Sequence, residues 1–206
     1  MNRPPPFSDE MVLFRKEFCA IQGDDPFPWQ QRLFKEFCCG TLQPALDLPT
    51  GLGKTSLMAI WYLALKAKAP VPRRLVYVVD RRAVVDQATS VAEAIRKKSS
   101  DGSLRLSTLR GQYLDNREWL AAPTGSAIIV GTVDMIGSRL LFSGYSVSTK
   151  MRPYHAGLLG ADTLVVLDEA HLVPPFEELL KVIARDPTKQ FDLVQKAPER
   201  SFRRFD

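Results

Sequence analysis

Cysteines are few in this chain, and long apolar runs are lacking. Cys19, Cys38 and Cys39 include no CxxC pair, and two of the three are adjacent. That pattern argues against a zinc site and a disulfide framework, and points to reduced thiols in a cytoplasmic protein. The longest apolar run, Leu57–Leu65, is too short to span a bilayer. The first residues, MNRPPPFSDE, lack the apolar core of a signal peptide. A soluble, cytoplasmic protein without a membrane partner is expected.

What is present is ordinary globular composition. The 206 residues are 45% hydrophobic and 25% charged, enough for one large domain or two small ones. The formal net charge is +5, compatible with a polyanionic partner. Between Arg73 and Lys98, seven basic residues stand against three acidic ones. A solvated helix face with charged ends explains that cluster as well as a nucleic-acid surface does.

The apolar pattern alternates between two periods. Pro4, Pro5 and Pro6 suggest an extended arm, followed by a helix from Ser8 with Met11, Phe14 and Phe18 as its stripe. A second helix is expected from Trp29 to Cys39, stopped by Gly40. Beyond it the spacing predicts strands at 44–48, 74–80, 104–109, 127–130 and 163–167. Helices are expected at 54–68, 82–98, 134–141 and 175–184. Such alternation implies an α/β fold with a mostly parallel sheet and helices on both faces. The domain expectation is an N-terminal arm and helix over 1–24, one α/β domain over 25–185, and an unassigned tail over 186–206.

Residues 48–55 read LPTGLGKT. Gly51 and Gly53 allow positive φ, so successive N–H groups can line a concavity at the start of a helix. Lys54 can reach β- and γ-phosphates, and the Thr55 hydroxyl can bind a bridging magnesium ion. Pro49, Thr50, Leu52 and Ser56 complete the expected ATP-binding segment. Leu48 departs from the general pattern, which asks for a small residue there.

Residues 164–171 read LVVLDEAH. An apolar strand delivers two acids at its C-terminal end, where open α/β sheets bind ligands. Asp168 suits a magnesium ligand acting through the ion's water shell, and Glu169 suits the group that polarises the attacking water. An acidic helix cap after a core strand would look similar in isolation. The stretch of chain between Lys54 and Asp168 leaves room for two or three strand–helix units.

With both motifs in hand, the chain resembles the first RecA-like, P-loop NTPase domain of superfamily 2 helicases of the DEAH-box type. FPWQQ at 27–31 is similar to the upstream adenine-reading motif, with Gln30 the candidate. VVDRRAVVDQA at 78–88 and VGTVDMI at 130–136 resemble strand-contacting motifs; they implicate Arg81, Arg82 and Thr132 in contacts to single-stranded DNA. The RRAVVDQA phrase is most similar to the CRISPR-associated type I interference helicase–nuclease. That resemblance implies Mg2+ and ATP as cofactors, a second RecA-like lobe, an HD nuclease domain and a CRISPR surveillance complex as partner. With only His155 and His171, the chain does not supply an HD nuclease site. It is also expected to end before the strand carrying a Ser-Ala-Thr motif, leaving a sheet edge uncovered. Two other readings stay open: a restriction-enzyme translocase subunit, and a truncated, non-catalytic nucleotide- or DNA-binding module.

Overall fold

The computed structural model describes residues 8–49, 51–99, 102–110, 118–184 and 191–194. The chain divides into two compact units. Among the described residues, one comprises 8–42 with Leu48–Val71, and the other Gln43–Asp47 with the chain from Pro72 to Val194.

The first unit is helical. α1 spans Ser8–Gln22, α2 spans Pro28–Cys38, and α3 spans Leu57–Lys66. Pro28 opens α2, where its fixed φ suits the first turn and its missing N–H costs nothing. Phe14 and Phe18 of α1 are buried, and the Phe14 ring stacks on Phe34 of α2 at 4.2 Å. In α3 every residue from Leu57 to Ala64 is buried, so this helix is apolar all round. Lys66 at its end pairs with Glu17 of α1 at 2.8 Å.

The expected strand at 44–48 does not form; the chain there is irregular. Pro44 has no N–H to give a ladder, and Asp47 places a charge in a five-residue run. Only Leu48 of that run is buried.

Among the described residues the second unit forms a five-stranded, all-parallel sheet with helices. Its strands are β1 (Arg74–Val79), β2 (Arg105–Leu109), β3 (Ala127–Thr132), β4 (Thr163–Leu167) and β5 (Phe191–Val194). The spatial order is β2-β3-β1-β4-β5. Helices α4 (Arg82–Lys98), α5 (Glu118–Ala121), α6 (Val133–Leu140), α7 (Arg152–Gly160) and α8 (Pro174–Ala184) connect them. β1, β3 and β4 are buried along their whole length, as a sheet covered on both faces demands. Val76, Val78, Ile129, Val165 and Leu167 share a core with Trp119 of α5, Ile136 of α6, Leu159 of α7 and Leu180 of α8. Residues of the other parity, among them Leu75 and Tyr77, point to the opposite face. There α4 packs on β1, β2 and β3, presenting Val85, Ala88, Ala92 and Ile95.

Three elements in the second unit, α5, α7 and β5, depart from the sequence reading. α7 was not expected, since RPYHAGLLG carries two glycines and a proline. Burial of His155, Ala156 and Leu159 on one side holds it. β5 lies in the unassigned tail and pairs with β4 from Thr163↔Phe191 to Val166↔Val194. A strand therefore does follow β4 and covers its edge, and it reads FDLV rather than Ser-Ala-Thr.

Candidate functional site

The phosphate loop closes on the start of α3 through a short 3-10 turn, Lys54–Ser56. Gly51 has φ +89° and Gly53 φ +67°, both left-handed. A Cβ at Gly51 would meet nothing within 4 Å, so this main chain is open to an approaching group. Gly53 caps the turn, and its carbonyl accepts from Ser56 N at 2.9 Å. Pro49 is exposed, while Leu52, Lys54 and Thr55 are half-buried. Thr50 lies outside the described residues. A cradle of this kind offers N–H donors and a helix N-terminus, which suits an anion.

Gln30 is held inside the first unit. It is 3% exposed. Its Nε2 donates to Ser56 Oγ at 2.7 Å, and its Oε1 accepts from Phe27 N at 2.7 Å. The amide thus links the first turn of α2 to the residue that follows Thr55. Each end of an amide keeps one further hydrogen-bonding position beyond these two bonds.

The carboxylates stand at the C-terminal end of β4. Asp168 N donates to Val78 O at 2.9 Å, prolonging the ladder with β1 by one residue. Tyr77 OH donates to Asp168 Oδ2 at 3.0 Å. Burial first, then the Asp168 carboxylate, raise the Tyr77 phenol well above its ordinary range, so it remains a donor. Glu169 adopts φ 50° and ψ 48°, a left-handed conformation rare for a side chain of its size. This turns the chain sharply after Asp168, and such strain gathers where function over-determines the backbone. His171 Nδ1 lies 3.4 Å from Glu169 Oε2. Among the described residues no three His, Cys, Asp or Glu side chains cluster as a metal cage.

The candidate nucleic-acid residues occupy different settings. Arg81 and Arg82 are exposed at the start of α4. Arg81 Nε reaches Asp80 Oδ2 at 3.1 Å, but with its side chain 75% exposed the pair contributes little stability. Thr132 is 6% exposed and caps α6, its Oγ1 accepting from Met135 N at 3.4 Å.

Residues 27–194 match the model of the DEAD/DEAH box helicases. The chain belongs to the DEAD/DEAH box helicase family. The match takes in the phosphate loop, the LDEAH strand end and β5 of this helicase-family motor domain. Two solved structures are similar to this chain. One is a nuclease-deletion mutant of the Type ISP restriction-modification enzyme LlaGI in complex with a DNA substrate mimic, 13% identical, with a TM-score of 0.54. The other is the UvsW helicase from bacteriophage T4, 15% identical, with a TM-score of 0.49. The matches cover 87% and 83% of this chain, but only 18% and 52% of those two. No curated protein sequence matches it. No described helix is long and apolar enough to cross a membrane.

Tyr77 is the site residue that the sequence pattern hides. Within RLVYVV it reads as core. The one signal was its hydroxyl, since a phenol in a strand buried on both faces needs a partner.

Proposed function

We propose that this DEAD/DEAH domain is the ATP-binding first lobe of a DNA translocase. The observation that carries the reading is the open, left-handed Gly51–Gly53 main chain leading into Lys54, Thr55 and α3. Pro49, Thr50, Gly51, Leu52, Gly53 and Ser56 form the phosphate segment. Lys54 neutralises β- and γ-phosphate oxygens. Thr55 would offer a hydroxyl ligand and Asp168 a carboxylate ligand to magnesium, whose chemistry would be to spread phosphate charge. Glu169 takes the proton of the attacking water, a role for which a carboxylate is suited. Gln30 uses its remaining hydrogen-bonding positions on the adenine edge.

Arg81, Arg82 and Thr132 are assigned to the phosphates of single-stranded DNA, with the two arginines dominant because they are exposed. The RRAVVDQA phrase supports a role in CRISPR type I interference, with a second RecA-like lobe and an HD nuclease domain as functional partners. The second reading is a restriction-enzyme translocase, to which the fold shared with the Type ISP enzyme lends support. The third, a non-catalytic binding module, predicts nucleotide binding without turnover.

The test is steady-state ATP hydrolysis by the full-length protein with and without single-stranded DNA. DNA-stimulated turnover that Lys54→Ala removes is the expected result. Binding without turnover would favour the non-catalytic module. Stimulation that requires an assembled CRISPR surveillance complex would separate the CRISPR reading from the restriction one.

A further inference from the structure

Strand β1 is apolar apart from Arg74 at its start and the phenol of Tyr77. Tyr77 is 1% exposed and faces Val166 of β4 in the parallel register. Its ring fills the sheet face that carries α4, while its hydroxyl reaches past the end of β4 to Asp168 Oδ2 at 3.0 Å. Asp168 is held twice from β1: by its N–H on Val78 O and by its carboxylate on Tyr77. The main-chain bond fixes where Asp168 begins, and the phenol restrains one oxygen of its carboxylate.

We propose that Tyr77 is a positioning residue for metal binding: through its hydrogen bond it orients the Asp168 carboxylate toward the magnesium ion of the bound nucleotide. This rests on the reading of Asp168 as a metal ligand. A free aspartate side chain samples several rotamers, and holding one of them in advance lowers the cost of ordering it when the ion arrives. Groups that orient a metal ligand in this way alter metal affinity by roughly 10–100-fold when removed. The phenol is suited to the task because a ring locked in a close-packed sheet cannot swing away from its acceptor. Tyr77 touches neither nucleotide nor water in this scheme, so it is not a catalytic residue.

The experiment measures affinity for a fluorescent ATP analogue in the full-length protein, once with excess Mg2+ and once with EDTA. The ratio of the two affinities is the contribution of the metal. Tyr77→Phe removes the hydroxyl and keeps the ring. It is expected to cut that ratio by about tenfold, with metal-free affinity unchanged. Val166→Ala loosens the packing opposite Tyr77 but leaves the hydroxyl in place; it is expected to lower the melting temperature and keep the wild-type ratio. A wild-type ratio in Tyr77→Phe overturns the proposal. So does an equal loss in both variants, which would trace the effect to packing. A Tyr77→Phe protein that fails to fold overturns it as well, because the bond would then serve the sheet. Absence of Mg2+-dependent binding in the wild type would instead bring down the metal-ligand reading of Asp168, and this proposal with it.

Discussion

At the phosphate loop the geometry is set largely by the main chain; at the end of β4 main chain and side chains set it together. Gly51 and Gly53 supply left-handed turns with open space where a Cβ at Gly51 would stand. Asp168 is aimed by a tyrosine from the neighbouring strand, and Glu169 holds a left-handed conformation without the freedom of glycine. The first device costs chain entropy and needs few partners. The second needs a sheet assembled in register before either acid is in place. The loop is therefore sensitive to backbone substitutions, and the carboxylate edge to changes in side-chain chemistry.

The largest expected effect sharpens that contrast. Glu169→Gln in the full-length protein keeps shape and Mg-ATP binding, yet turnover falls by roughly 10²–10⁴-fold, the range for a lost general base. Steady-state hydrolysis beside nucleotide titration checks it; equal turnover removes Glu169 from the role. Lys54→Ala is expected to act on binding instead. Losing a charged hydrogen bond costs about 1.5–3 kcal/mol, or roughly 10–100-fold in ATP affinity by calorimetry. Unchanged affinity would contradict the phosphate-loop assignment.

Gly51→Ala probes the backbone alone. Its Cβ meets no atom within 4 Å, so any loss comes from the φ of +89°. The strain is about 1–2 kcal/mol, read as a lower melting temperature together with weaker ATP binding. A neutral result would mean that the loop relaxes freely, which would break the comparison. The smallest effect is expected outside both regions. Arg81→Ala with Arg82→Ala should leave ATP affinity intact and weaken single-strand binding. The salt slope should fall by about one for each DNA phosphate that the arginines no longer neutralise. An unaltered slope would reduce Arg81 to a partner of Asp80.

The same division explains what the sequence revealed. LPTGLGKT is legible because glycine spacing dictates a backbone path with little help from the rest of the chain. TLVVL followed by DEAH is legible because a buried strand must be apolar and its end is where polar groups can emerge. The strand expected before the loop failed because an apolar run containing Pro44 and Asp47 says nothing about whether a ladder partner receives it. Tyr77 stayed hidden because its role depends on β1 lying beside β4, a pairing that no local pattern encodes. α7 and β5 were missed for a related reason. Glycines at 157 and 160 weaken the helix signal, and FDLV is too short to carry a period, so tertiary packing decides both. Thr132 shows the converse: its motif is recognisable, while its hydroxyl serves as a helix cap.

The central place of β1 has a consequence for synthesis. During translation β1 emerges before either strand that will flank it. Its first partner is complete only at Thr132, and its second only at Leu167. At roughly 5–20 residues per second, a ribosome leaves the strand waiting for seconds with both edges unpaired. An apolar β-rich segment in that state invites pairing with other nascent chains. Arg73 precedes the strand, Arg74 opens it, and Asp80, Arg81 and Arg82 follow it. Charges in those positions act as gatekeepers, keeping the strand apart from its copies until its own partners arrive.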